Sequence, residues 1–205
     1  MNRQDNRVDD YRLCFVGDSF VHGTGDPRGL GWVGQVIAHA HHTGWQVTAY
    51  NLGVRGDTSR EVLARWKHEC LPRFPGETQH YVVFSFGVND VIIENDTPRI
   101  STIESRENFQ RLLETTQSQC HALVIGPPPV EDTMHNAHIQ DLSEMYGQIA
   151  AARHVPYLSV VESLLNNTIW MKEVSLYDGA HPSSEGYLQL AELILGWTEW
   201  PFHTA

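Results

Sequence analysis

Apolar positions along the chain fall into two kinds of run. Short β-type runs at 12–16, 46–51, 81–86, 122–125 and 156–161 alternate with longer segments in which apolar residues recur every three or four positions. This alternation predicts a parallel sheet covered by helices on both faces. Residues 32–42 read as one helix. Thr58-Ser59-Arg60-Glu61 has the form of a capping box, which opens a helix running toward Cys70, and Ser101-Thr102-Ile103-Glu104 repeats the signal. Over 132–154, Ile139, Leu142, Met145, Tyr146 and Ile149 share one helical face, which should pack on the sheet. A last helix begins near Ser183, just past Pro182, and turns Tyr187, Leu190, Ala191, Ile194 and Leu195 inward. Five strands and about as many helices predict a three-layer α/β/α sandwich around a five-stranded parallel sheet.

No composition break, repeat or low-complexity tract divides the 205 residues, so one domain spanning 1–205 is expected. A compact chain of this size buries roughly 70% of the surface its unfolded form exposes, enough for a full core without staples. Pro127-Pro128-Pro129 follows the fourth predicted strand, where its fixed backbone can stiffen the wall of a pocket. Ligands of open parallel sheets bind at the carboxyl ends of the strands, so the chemistry should collect there.

Charge and cysteine content narrow the partners. The formal net charge is -11, and only two of the 14 basic residues are lysines, Lys67 and Lys172. That leaves little basic surface for nucleic acid or anionic membrane. No stretch approaches the roughly 20 apolar residues of a membrane span, and the polar opening from Met1 to Asp10 lacks the apolar segment of a secretory signal. A cytoplasmic protein with no integral membrane association is therefore expected. Cys14, Cys70 and Cys120 are odd in number and show no C-x-x-C spacing, which argues for reduced thiols.

Four short fragments carry candidate chemistry: Gly17-Asp18-Ser19, Asn51-Leu52-Gly53, Gly87-Val88-Asn89-Asp90, and Asp178-Gly179-Ala180-His181. Three of them leave the same predicted sheet edge. A serine hydroxyl is a weak nucleophile until an imidazole accepts its proton and a carboxylate orients that imidazole. Ser19, His181 and Asp178 are candidates for those three parts. The spacing of Asp178 and His181 lets a carboxylate reach Nδ1 while Nε2 faces outward, and Pro182 steers His181 away from helical dihedrals. Taken singly, each fragment also fits a bland reading: a turn serine, a turn glycine, an Asx-turn or cap at Asn89, and a solvated loop before a helix. Asp18 and Asp90 read as structural, bonding loop N–H groups.

Other motifs carry less. His39, His41, His42, His135 and His138 have spacings that suggest a metal site, but no H-E-x-x-H is present and no metal is expected. Arg28 occupies the third glycine position of a G-x-G-x-x-G pattern begun by Gly23 and Gly25, no Gly-Lys pair offers a phosphate loop, and G-x-S-x-G is absent.

In order and across nearly the whole chain, the four fragments resemble the motif blocks of the SGNH hydrolase family, the GDSL-type esterases and lipases. Phe20 stands where the leucine of that family's name would be. The resemblance implies a flavodoxin-like fold, Ser19 as nucleophile, His181 as base and Asp178 as its orienter. It also implies an oxyanion hole from the Ser19 N–H, the Gly53 N–H and the Asn89 side-chain amide. Ester hydrolysis through an acyl-enzyme follows, without metal or organic cofactor, and with activity that falls in acid as the base is protonated. Small-molecule esters with short acyl groups are the expected substrates. A carbohydrate acetylesterase, a lysophospholipase or a thioesterase of the same family is the alternative, and a non-catalytic ligand-binding module on the same fold is the alternative of a different class. Val91, Ile92, Pro128, Trp170 and Met171 are candidates for lining an acyl pocket. The segment from Leu164 to Tyr177 reads equally as a lid or as an ordinary loop packed on the core. Nothing in the sequence sets the oligomeric state.

Overall fold

The first strand explains the layering. In β1 (Tyr11–Gly17) Leu13 and Phe15 point to one face of the sheet, while Cys14 and Val16 point to the other, and all four are fully buried. Strand side chains alternate with period two, so four successive buried apolar positions need cover on both sides. The computed structural model, which describes residues 10–76 and 78–202, supplies that cover. Most of the polar opening stretch discussed above lies outside the described residues.

The chain continues through α1 (Ser19–His22), α2 (Gly31–His42), β2 (Val47–Gly53), α3 (Ser59–Cys70), a short 3-10 turn (Leu71–Arg73) and β3 (Gln79–Ser85). A two-residue hairpin, β4 (Ile93–Glu94) with β5 (Thr97–Pro98), precedes α4 (Thr102–Gln117), β6 (His121–Ile125), α5 (Thr133–Ala152) and β7 (Tyr157–Leu158). Three helices follow: α6 (Val161–Leu165), α7 (Thr168–Leu176) and α8 (Ser184–Leu195). The main sheet is parallel throughout, in the order β2-β1-β3-β6-β7.

One core lies between the sheet and α2, α7 and α8, where Trp32, Val36, Trp170, Tyr187, Leu190 and Ile194 close over Leu13 and Phe15. The other lies under α3, α4 and α5, where Val62, Trp66, Phe109, Leu113 and Tyr146 close over Cys14 and Val16. Each such fully buried side chain contributes roughly 1.5–3 kcal/mol relative to exposure. The three-layer α/β/α sandwich is thus as the apolar pattern predicts.

Register positions the chemistry. Gly17 pairs with Gly53 on one side and Ser85 on the other, so β1, β2 and β3 end in one row. The residues that follow leave the sheet side by side.

Two expectations need correction. The fifth strand is not 156–161 but Tyr157–Leu158, because Val161 already opens α6. The segment from Leu164 to Tyr177 is helical rather than loop for most of its length, the end of α6 and all of α7, and it packs on the core as one of its two readings expects. Leu164, Trp170 and Val174 are each 0% exposed, which ties the segment to the core.

Candidate active site

The end of β1 is tightly packed before any side chain takes part in chemistry. A Cβ on Gly17 would come within 1.8 Å of the Ser85 carbonyl oxygen. The chain then turns at Asp18, the N-cap of α1, whose Oδ1 accepts the Phe20 N–H at 2.9 Å. A cap of this kind satisfies one of the orphan donors at a helix start. Ser19 takes the first helical position, buried to 5% exposure. Among the described residues its own N–H donates to no protein group.

His181 approaches from the far end of the chain. Its Nε2 lies 2.7 Å from Ser19 Oγ, and its Nδ1 lies 2.7 Å from Asp178 Oδ2. A carboxylate only accepts, so Nδ1 carries the proton and Nε2 is left to accept from the Ser19 hydroxyl. The other oxygen, Asp178 Oδ1, accepts the N–H groups of Ala180 at 3.0 Å and His181 at 2.8 Å. Burial alone would raise the Asp178 pKa, but these N–H groups and the imidazole outweigh it and hold the carboxyl below its ordinary range. Phe20 backs the imidazole at a ring separation of 4.9 Å, and Trp170 stacks behind Phe20 at 6.2 Å.

The other two expected donors stand in the same row. A Cβ on Gly53 would meet the His22 backbone nitrogen at 2.2 Å, so only glycine lets β2 sit against α1. The Gly53 N–H donates to Asn51 Oδ1 at 3.0 Å, and any further acceptor must share or displace that bond. Asn51 in turn donates to the Val21 carbonyl at 2.7 Å, which fixes β2 to the helix that carries Ser19. Asn89 Nδ2 donates to the Asp57 carbonyl at 2.9 Å and stands 3.5 Å from Asp18 Oδ2. One amide hydrogen is therefore anchored, while the other makes only a long contact.

Three buried acids surround this row. Burial pushes Asp18 up to about 7, with the charges of Asp90 and Asp57 adding to the rise and the Phe20 N–H opposing it. Asp90 is raised by burial too, although it accepts the Ser59 N–H at 2.7 Å, the Ser105 hydroxyl at 2.6 Å and the Tyr146 hydroxyl at 3.4 Å. These bonds tie the turn after β3 to α3, α4 and α5. Asp57 is raised by burial against the opposing pull of Arg65.

The residues expected to line a pocket separate. Val91 and Ile92 follow Asp90 directly and are half-buried, and Val91 also borders a cavity of about 390 Å³ with Ile93, Ile100, Leu142 and Met145. Pro128 is buried, and Met171 packs half-buried on the core. Trp170 is corrected: it is fully buried and its Nε1–H donates to the Pro129 carbonyl at 3.0 Å, so it supports the nucleophile turn from behind. The histidines are dispersed as well. His135 Nε2 lies 2.9 Å from the Val88 carbonyl oxygen, and among the described residues no three His, Cys, Asp or Glu side chains converge to hold a metal ion.

Sequence reasoning passed over Asp57 and Arg65. Arg65 reaches from α3 to Asp57 Oδ2 at 2.6 Å and to the Gly17 carbonyl at 2.9 Å. The only signal for either lay in their closeness to the capping box that opens α3.

Comparison with known proteins points to one family and one fold. The family model of the GDSL-like lipase/acylhydrolase family matches residues 15–188. The uncharacterized protein YpmR of Bacillus subtilis is 24% identical, over 89% of this chain and 79% of that protein. An acetylxylan esterase of Geobacillus stearothermophilus is 21% identical over 90% of this chain and 92% of its own length. Its crystal structure superposes with a TM-score of 0.74, covering 94% of this chain and 97% of that one. A lipase/acylhydrolase from Enterococcus faecalis has a TM-score of 0.74 and 26% identity, over 90% of this chain and 93% of that one.

Proposed function

The chain belongs to the GDSL-like lipase/acylhydrolase family, and from that premise we propose that it is a serine esterase that cleaves carboxylic esters through an acyl-enzyme. The observation that carries the reading is the unbroken chain from Ser19 Oγ through His181 to Asp178, two contacts of 2.7 Å each. Ser19 Oγ attacks the ester carbonyl as His181 Nε2 takes its proton. The tetrahedral oxyanion is received by the Ser19 N–H and the Asn89 amide, with the Gly53 N–H shared between it and Asn51 Oδ1. His181 then protonates the leaving alcohol, water adds to the acyl-enzyme by the same route in reverse, and the acid departs. Asp178 holds one tautomer through both halves.

The substrate is a small ester with a short acyl group, set against Val91 and Ile92. Acetylated carbohydrate is the second reading, favoured by the likeness to the acetylxylan esterase over nine-tenths of the chain. One assay tests both. Wild type and Ser19→Ala are compared on p-nitrophenyl esters from acetyl to octanoyl and on acetylated xylo-oligosaccharides. The expected result is Ser19-dependent release that declines with acyl length. Retained turnover in Ser19→Ala, or no release by wild type from any ester, would remove the esterase reading and leave a ligand-binding module.

A further inference from the structure

We propose that Arg65 is a positioning residue that holds the three oxyanion donors in mutual register. The inference rests on the reading of Ser19, Gly53 and Asn89 as those donors.

Each donor sits on a different strand exit; the strand ends are paired and the Val54 N–H donates to the Gly17 carbonyl at 2.9 Å, but among the described residues no hydrogen bond joins the donors themselves. One guanidinium ties the loops beyond those strand ends to one another. Its Nη2 donates to the carbonyl of Gly17, two residues before Ser19, at 2.9 Å. Its Nε donates at 2.6 Å to the carboxylate of Asp57, on the loop that leaves Gly53. The backbone carbonyl of that same Asp57 receives the Asn89 amide at 2.9 Å. The β1 exit, the β2 exit and the amide from the β3 exit are thus linked through a single planar group. Its remaining edge is fixed as well, since Nη1 donates to Glu69 Oε2 at 3.0 Å, one helical turn on.

The group is well placed to be rigid. The side chains of Arg65 and Asp57 are only 16% and 11% exposed, so the pair is shielded from solvent competition. A guanidinium presents donors in a fixed fork, which can satisfy a carboxylate and a carbonyl in one plane. A lysine ammonium is a point charge on a flexible stem and cannot impose that plane. Without the cation, Asp57 would be left beside Glu61 and Glu69, whose charges already repel it. The loop would then move, carrying with it the carbonyl that anchors Asn89. Arg65 touches neither the candidate nucleophile nor any group that would meet substrate, so it acts through Asp57 and Gly17.

The test measures kcat and KM separately for wild type, Arg65→Lys, Arg65→Met and Arg65→Ala on p-nitrophenyl acetate, with Ser19→Ala as the control for the reaction itself. Misplacement of donors by an ångström should lower kcat of Arg65→Met on the order of 10²-fold. KM should stay within about threefold of wild type, because donors used in the transition state are affected more than ground-state binding. Arg65→Lys should fall between, and added guanidinium ion should restore part of the kcat lost in Arg65→Ala. A kcat for Arg65→Met within about threefold of wild type, or a loss confined to KM, overturns the proposal. A second measurement needs no turnover: the NMR resonances of the Asn89 side-chain amide in wild type and Arg65→Lys. A shift of those resonances supports the positioning role. Unchanged resonances overturn it even if the protein proves to have no Ser19-dependent activity, a result that would separately remove the esterase reading.

Discussion

Asp178 uses its two oxygens for different purposes. One orients the imidazole, and the other caps the turn that presents it, so substitution should show in both rate and stability. Asp178→Asn keeps the shape but permits the wrong tautomer, a change that costs on the order of 10⁴ in kcat in serine proteases. A depressed folded-state pKa means that Asp178 stabilises the protein fully above its unfolded pKa of about 3.9, and that this is lost as pH falls through the lower folded value. The melting-temperature gap between wild type and Asp178→Asn should therefore be present at neutral pH and narrow in strong acid.

Asp18 has the opposite sign. Its folded-state pKa is pushed up to about 7, so its ionisation costs nothing in acid, costs progressively more between the two pKa values, and levels off above the folded one. The full penalty is on the order of 4 kcal/mol. Asparagine is as good an N-cap as aspartate, so Asp18→Asn should melt higher than wild type at pH 8 and close to it at pH 4. Equal differences at the two values would refute the raised pKa. At this scale the groups with reactive atoms were legible because they stand in contiguous blocks. Arg65 was not, because an arginine on an amphipathic helix reads as solvated surface unless the partner strand ends are known.

Among the elements, α3 shows what local signals can reveal. Its capping box is formed as Thr58 and Glu61 predict, with the Glu61 carboxylate accepting the Thr58 N–H at 2.9 Å. Thr58→Ala should cost about 1 kcal/mol, measured by urea denaturation. Because Thr58 adjoins Asp57, the same variant should also lower kcat, whereas a cap remote from the site would leave it alone. The fifth strand was legible only in its first residues. Val160 and Val161 are β-branched and extend a strand-like run, yet tertiary contacts place Val161 in α6. Helix α7 had a readable start, since Asn167 Oδ1 accepts the N–H groups of Ile169 and Trp170, but a single asparagine is also a common loop residue.

For the whole molecule, short continuous apolar runs for the strands and helical period between them were sufficient to read the three layers. They could not disclose that Gly17, Gly53 and Ser85 end level, since register depends on how separate strands meet. That shared row gathers three of the four scattered fragments, and the loop before α8 brings the fourth to them. No helix among the described residues is long and apolar enough to cross a membrane.

The contact between Ser19 and His181 joins positions 162 residues apart. In chain order the candidate serine leads and its imidazole comes late, so the two meet only once β1 and the loop before α8 have packed together. A fragment of this fold that ends before residue 178 would lack both the imidazole that faces Ser19 and the carboxylate behind it, and is expected to show no Ser19-dependent release from p-nitrophenyl acetate.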